Sequence, residues 1–320
     1  MYWNPPKFIF TIPVLDRPIA FYGLFFFLGF LASYYLAVYV FSQVITPLLR
    51  EQNKNSVKKI KSLLSKKEFK TTGEDLPGMY FIEGESLVTT CNLSKDLINT
   101  ALFYSVIFSI IGSRLFHVFF YDWPYYQNHL AEIPMAFDGG LASHGGILGV
   151  FIAWFLFFRV AKKKIKDLSL AQIFDVMILN IGLALGSIRI GNFFNQEILG
   201  KPSDSIFAIT FGNPMGGLPI VPRHPVQLYE SISYFLICGV LLLIWKKTKF
   251  KPGTYFALGN IMYWTARFIC EYFKLEQSQS MPEGSVLTMG QIQSIPFILM
   301  GIIVAVALNI KKEPKKITII

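Results

Sequence analysis

The chain has 320 residues, of which 53% are hydrophobic and only 16% charged, with a mean hydropathy of +0.46. A soluble domain carries about a quarter charged residues, so this composition excludes an ordinary soluble enzyme and points to an integral membrane protein. The 30 basic against 20 acidic residues suggest nucleic acid only until they are mapped along the chain.

Seven apolar segments, near 18–41, 97–121, 141–160, 173–194, 226–245, 254–273 and 289–309, approach the ~20 residues that a helix needs to cross the hydrocarbon core. Polar residues begin before the end of the fourth. The opening MYWNPPKFIF has neither a basic n-region nor a small-residue cleavage site, so no cleavable signal peptide is expected. In the connection 46–96, NSVKKIKSLLSKKEF places Val57, Ile60, Leu63 and Leu64 at helical spacing among lysines. That pattern fits a basic helix on an anionic inner leaflet or a solvated linker. TTGEDLPGMYFIEGES then reads as a small hairpin. The connection 195–225 contains GKPSDS, FGNPMGG and PRHP; a loop so long and rich in glycine and proline points to function. A strand at IFAITF would give it a small extracytoplasmic cap. The fold class expected is an all-α polytopic membrane protein, one integral membrane domain over 1–320. No internal repeat or inverted pair of broken helices is evident, which argues against a secondary transporter.

Alternate connections carry nearly all the positive charge. Residues 46–96, 159–172, 246–253 and the tail after 310 together hold 22 basic residues, against five (Lys7, Arg17, Lys201, Arg223 and Lys274) in the others. The positive-inside rule then places the N-terminus outside and the C-terminus in the cytoplasm, with 46–96 cytoplasmic and 195–225 outside. Trp123 and Trp245 fit as interfacial anchors. The charge therefore reports topology and anionic lipid, not DNA. Cys91, Cys238 and Cys270 show no disulfide or metal spacing.

Three arginines remain within spans: Arg114, Arg189 and Arg267. A charge at bilayer depth costs about 2.5–3.5 kcal/mol on insertion scales and normally marks a substrate path or reaction centre. With this topology the intramembrane polar groups fall in one outer layer: Tyr22, Arg114 and His117, Asp138 and His144, Arg189 and Asn192, Gln227 and Glu230, Arg267 and Glu271. The inner half carries almost none. Tyr263, Arg267 and Glu271 recur at i, i+4 and i+8 and share a helix face, as do Arg189 and Asn192 at i and i+3. Arginine offers a planar, permanently charged fork suited to phosphate. Glycines 139, 140, 145, 146 and 149 surround His144 at a helix start, where bare backbone admits a close ligand and the helix N-terminus favours an anion. Packing is the alternative for those glycines, and mutual neutralisation is the alternative for Arg267 with Glu271. Arg114 reads equally well as a structural counter-ion to a neighbouring carboxylate; His117 reads as an interfacial or packing residue, and His129, in an outer loop, as a solvated one.

The stretch RIGNFFNQEILG, Arg189 to Gly200, resembles the signature Gly-Arg-x-Gly-Asn-Phe-x-Asn-x-Glu-x-x-Gly of the prolipoprotein diacylglyceryl transferase family, with Ile188 in place of its first glycine. YGL at Tyr22, FDGGLASHGGILG around His144, RHPVQLYE ending at Glu230, and Tyr263-x-x-x-Arg267-x-x-x-Glu271 follow in the family's order. The connection 46–96 is longer than is usual there. The resemblance implies a seven-span enzyme of the bacterial inner membrane with its site toward the outer leaflet. It would transfer the diacylglyceryl group of phosphatidylglycerol to the thiol of a lipobox cysteine in a prolipoprotein signal peptide, leaving a thioether and releasing glycerol phosphate. It also implies functional roles for Tyr22, His144, Arg189, Asn192, Glu197, Gly200, Arg267 and Glu271.

One phosphodiester beside the attacked carbon suits one or two arginines, Arg189 and Arg267, that bind it and stabilise the departing phosphate. Glu230, Tyr263 and Asp138 are expected to line the substrate. A thiol of pKa about 8.5 needs only modest activation; His144 could take its proton, or the arginines' field could lower its pKa. That chemistry calls for neither metal nor redox cofactor, and a monomer is expected. A lipid or polyprenyl-phosphate flippase is the rival reading, but it wants arginines along a path through both halves of the bilayer.

Overall fold

The computed structural model describes residues 1–12, 17–54, 80–83, 86–135, 140, 142–275 and 286–308. Asp138 and the basic helix sought within 55–69 lie outside these residues. Seven long helices stand at the expected apolar segments: α1 (Phe21–Gln52), α2 (Thr90–Phe120), α3 (Ser143–Lys164), α4 (Leu170–Phe194), α5 (Val226–Lys247), α6 (Thr254–Glu271) and α7 (Met289–Leu308). Six of them are long and apolar enough to cross a membrane; α6 falls short, because Asn260, Arg267 and Glu271 interrupt it.

Two helices outrun the apolar segments that announced them. α1 continues past residue 41 because Val38, Phe41, Ile45 and Leu49 keep a buried stripe at helical spacing. α2 starts at Thr90, where the Thr89 side chain caps it by accepting from the Asn92 N–H; Leu93 and Leu97 then bury its first turns. The connection 46–96 is therefore helical at both ends. Within it β4 (Tyr80–Glu83) and β5 (Ser86–Thr89) pair antiparallel, giving the small hairpin.

The chain divides into two compact units, Val38–Ile173 and Met1–Ala37 with Phe174–Ile320. In the first, α2 and α3 cross at glycines. A Cβ on Gly112 would fall on the backbone of Gly145, and one on Gly149 would fall on the Phe108 carbonyl, so only bare backbone permits this approach. Arg114 is buried and structural here. Its Nε donates to the Ile133 carbonyl at 2.9 Å, its Nη2 to the Glu132 carbonyl at 2.8 Å, and its guanidinium lies 5.0 Å from the Tyr126 ring centroid.

The second unit holds the start of α1, nearly all of α4, and α5 to α7. β6 (Ile209–Phe211) is the middle strand of a small sheet, parallel to β1 (Tyr2–Trp3) and antiparallel to β7 (Pro222–Arg223). β2 (Phe8–Ile12) and β3 (Arg17–Ala20) form a separate hairpin leading into α1. Phe193, Leu199, Ile209 and Phe211 make the core beneath the sheet, with Trp3 and Phe194 packed against it. Fully burying each such side chain stabilises by about 1.5–3 kcal/mol, and this fixes the chain on both sides of the Glu197 turn.

The expectation of a half-membrane almost free of polar groups is corrected by α4. Asp175 is buried and its carboxylate accepts from the N–H groups of Gly253 and Phe256, both at 2.7 Å. It thereby holds the N-terminal end of α6, where negative charge opposes the helix dipole favourably. Ser33 donates to Asn180 Oδ1 at 2.6 Å. These polar groups satisfy helix ends and each other.

Candidate active site

The end of α4 turns sharply after Phe194 and carries the signature residues. Arg189 Nε lies 2.6 Å from Glu230 Oε2, with Glu230 wholly buried on α5. Its Nη1 donates to Asn192 Oδ1 at 3.1 Å, as the i, i+3 spacing predicts. Asn192 Nδ2 in turn donates to Glu197 Oε1, and Gln227 Nε2 on α5 holds the Glu197 carbonyl at 2.7 Å. Tyr22 sits against Gly191, where a Cβ would come within 2.8 Å of its ring. Arg189, Asn192, Glu197, Glu230 and Tyr22 thus form one connected group.

Gly200 runs between two neighbouring segments. Lys201 N donates to the Phe273 carbonyl at 2.8 Å, Leu275 N to the Leu199 carbonyl at 3.0 Å, and His224 N to the Lys201 carbonyl at 3.1 Å. A Cβ at Gly200 would fall on the His224 carbonyl, so the close approach requires glycine.

On α6, Tyr263 is buried edge-on to Tyr234 and its hydroxyl occupies the space left by Gly182. The alternative that Arg267 and Glu271 neutralise each other does not hold. Glu271 pairs with Lys274 at 3.2 Å, and a Cβ on Gly290 of α7 would overlap the Glu271 carboxylate. Arg267 is left without an ion-pair or hydrogen-bond partner among the described residues; its guanidinium carbon stands 5.9 Å from the Trp264 ring centroid. Tyr234 of α5 and Tyr263 of α6 pack with ring centroids 5.9 Å apart; one helical turn from them stand Glu230, paired with Arg189 of α4, and Arg267. The helix-α4, α5 and α6 groups therefore share one polar cluster, in which Arg267 is the guanidinium free to take an anion.

The sequence match of the family described as prolipoprotein diacylglyceryl transferase covers residues 78–307. The chain belongs to this family. Among curated relatives, the phosphatidylglycerol–prolipoprotein diacylglyceryl transferase of Protochlamydia amoebophila is 34% identical across 94% of this chain and 93% of its own length. That of Chlamydia caviae is 35% identical across 99% and 95%, and that of Chloroherpeton thalassium 41% across 65% and 75%.

In this member of the transferase family, His144 stands in the first turn of α3, after an N-cap at Ala142; Asp138 is outside the described residues. Among the described residues no three of His, Cys, Asp and Glu gather in a way that would hold a metal ion. Two basic residues counted from sequence as outer-side charges prove buried. Lys274 pairs with Glu271, and Arg223 donates to the Gly200 and Pro219 carbonyls. The i, i+3 spacing of Glu271 and Lys274 was the available signal for the first; nothing in PRHP marks the second. Gln196 is also buried, and nothing in the sequence marks it.

Proposed function

We propose that this protein transfers the diacylglyceryl group of phosphatidylglycerol to the lipobox cysteine thiol of a prolipoprotein. Family membership gives the reaction, and one structural observation carries its assignment to this site: a partly buried arginine, Arg267, unmatched by any carboxylate among the described residues, in a cluster whose Arg189 and Lys274 are already paired. Phosphatidylglycerol brings one phosphodiester charge, which a two-pronged guanidinium matches.

In the transfer, the cysteine sulfur attacks the glycerol carbon bonded to the phosphate oxygen. The C–S bond forms as the C–O bond breaks, and glycerol phosphate leaves with the electron pair. The thiol proton passes to a base and finally to the released phosphate. Arg267 binds the phosphodiester and stabilises the charge growing on the leaving oxygen. Arg189, fixed by Glu230 and Asn192, keeps further N–H donors for the same phosphate. Tyr22, Asn192, Glu197, Gly200, Glu230, Tyr263 and Asp138 shape the substrate site, and Glu271 is held by Lys274 beside it; either His144 takes the thiol proton or the arginines' field lowers the thiol pKa.

All seven long helices cross the inner membrane in this reading, α6 included, with the N-terminus, the 195–225 cap and the site facing the outer leaflet and 46–96 in the cytoplasm. The 22-to-5 distribution of basic residues supports this orientation. A cysteine introduced at Ser203 should react with an impermeant reagent on cells with a permeable outer barrier; protection there, with labelling near Lys315, reverses the topology. The enzyme acts as a monomer. Incubating it with phosphatidylglycerol and a lipobox peptide should yield the thioether by mass spectrometry. An unmodified peptide, from folded protein, sinks the proposal.

A further inference from the structure

Among the described residues, Gln196 and Ile198 are the non-glycine residues with positive φ, at 53° and 56°. The left-handed region is disfavoured for L-residues, and a β-branched one is an outlier there. Such conformations persist where surrounding contacts over-determine them, and they concentrate at working sites. Between the two stands Glu197, bonded to Asn192 through its carboxylate and to Gln227 through its carbonyl.

The contacts that hold this turn come from an unexpected place. Gln196 is 1% exposed. Its Nε2 donates to Asn4 Oδ1 at 3.1 Å, its Oε1 accepts from Asn213 N at 2.7 Å, and its carbonyl accepts from Met215 N at 2.9 Å. Asn4 directly follows β1. Gly212 N donates to the Trp3 carbonyl at 2.9 Å, and a Cβ on Gly212 would come within 2.7 Å of Asn4 Cβ. The amide of one buried glutamine therefore joins the chain's first residues, the segment after β6 and the turn that presents Glu197. General stability does not require left-handed residues on both sides of Glu197; a fixed direction for the Glu197 carboxylate does.

We propose that Gln196 is a positioning residue for the transfer, strapping the N-terminal strand to the Glu197 turn so that the first residues of the chain are a working part of the site. This rests on the reading of Glu197 as a site residue. The test uses the full chain, phosphatidylglycerol micelles and a lipobox peptide. Gln196→Ala and Asn4→Ala should each lower kcat by about tenfold, the upper scale of one well-placed hydrogen bond, while KM for the lipid stays within about twofold. The double variant should fall no further than the weaker single one, because both break one strap. Asn4→Asp keeps the acceptor and should recover most of the turnover. Gln196→Gly accepts the left-handed backbone freely, so it should lose kcat while melting near the wild type. Wild-type kcat in Gln196→Gly, a loss confined to KM, or losses that multiply in the double variant would overturn the strap. Glu197→Gln separates the two ideas: full turnover there removes Glu197 from the site, whereas its inactivity beside a normal Gln196→Gly removes only the strap.

Discussion

Arg189→Met should unfold the protein more readily as well as stop it working, and a second substitution should repair only the first effect. The Arg189–Glu230 pair has an N–O distance of 2.6 Å, with side chains 14% and 0% exposed. At an effective dielectric of about 20, that separation corresponds to roughly 6 kcal/mol of attraction. Desolvation of both groups offsets much of it, so the pair itself adds little net stability. Removing one partner strands the other, and a buried uncompensated charge costs about 3–5 kcal/mol. Arg189→Met leaves Glu230 in that state. Arg189→Met with Glu230→Met replaces the pair by apolar groups of similar volume and should melt near the wild type in detergent, measured by intrinsic fluorescence. Transfer to a lipobox peptide should remain at least tenfold down in the double variant, because the donors to Asn192 and to the phosphate are gone. A double variant as unstable as Arg189→Met, or one that regains turnover, refutes this division of labour.

Arg267→Lys should lose at least about tenfold in turnover with unchanged melting, since it gives up a bidentate fork but breaks no described bond; equal activity ends its role as phosphate clamp. Asp175→Ala, which strands two N–H groups at the start of α6, should lower stability by about 2 kcal/mol, visible as a lower melting temperature, with KM for the lipid unchanged. His144→Gln cannot take a proton, so turnover lost near pH 7 should return in part near pH 9, above the ordinary thiol pKa of about 8.5. A deficit equal at both pH values, with weaker lipid binding, makes His144 a headgroup or packing residue.

The helices were legible because a lipid-facing surface needs long apolar runs, and the exposed faces of α2 and α7 supply them. Their extensions at Phe41–Leu49 and Thr89–Leu97 were not, because there the helix is amphipathic and averaged hydropathy loses it. The Arg189–Asn192 contact followed from i, i+3 spacing on one helix. Which carboxylate each cation takes did not follow: Glu230 comes to Arg189 from another helix, and Lys274 takes Glu271 although Arg267 stands at i−4. Gln196 carried no signal, since its value lies in a backbone conformation and in two partners, Asn4 and Asn213, far along the chain.

Attack at carbon breaks the bond between the diacylglyceryl carbon and oxygen and leaves the P–O bond intact. Phosphatidylglycerol carrying oxygen-18 at the bridge between the diacylglyceryl carbon and phosphorus should give a thioether peptide, with all the label in the released glycerol phosphate. Label appearing in free diacylglycerol would mean that the P–O bond had broken, and the site would then be catalysing reaction at phosphorus.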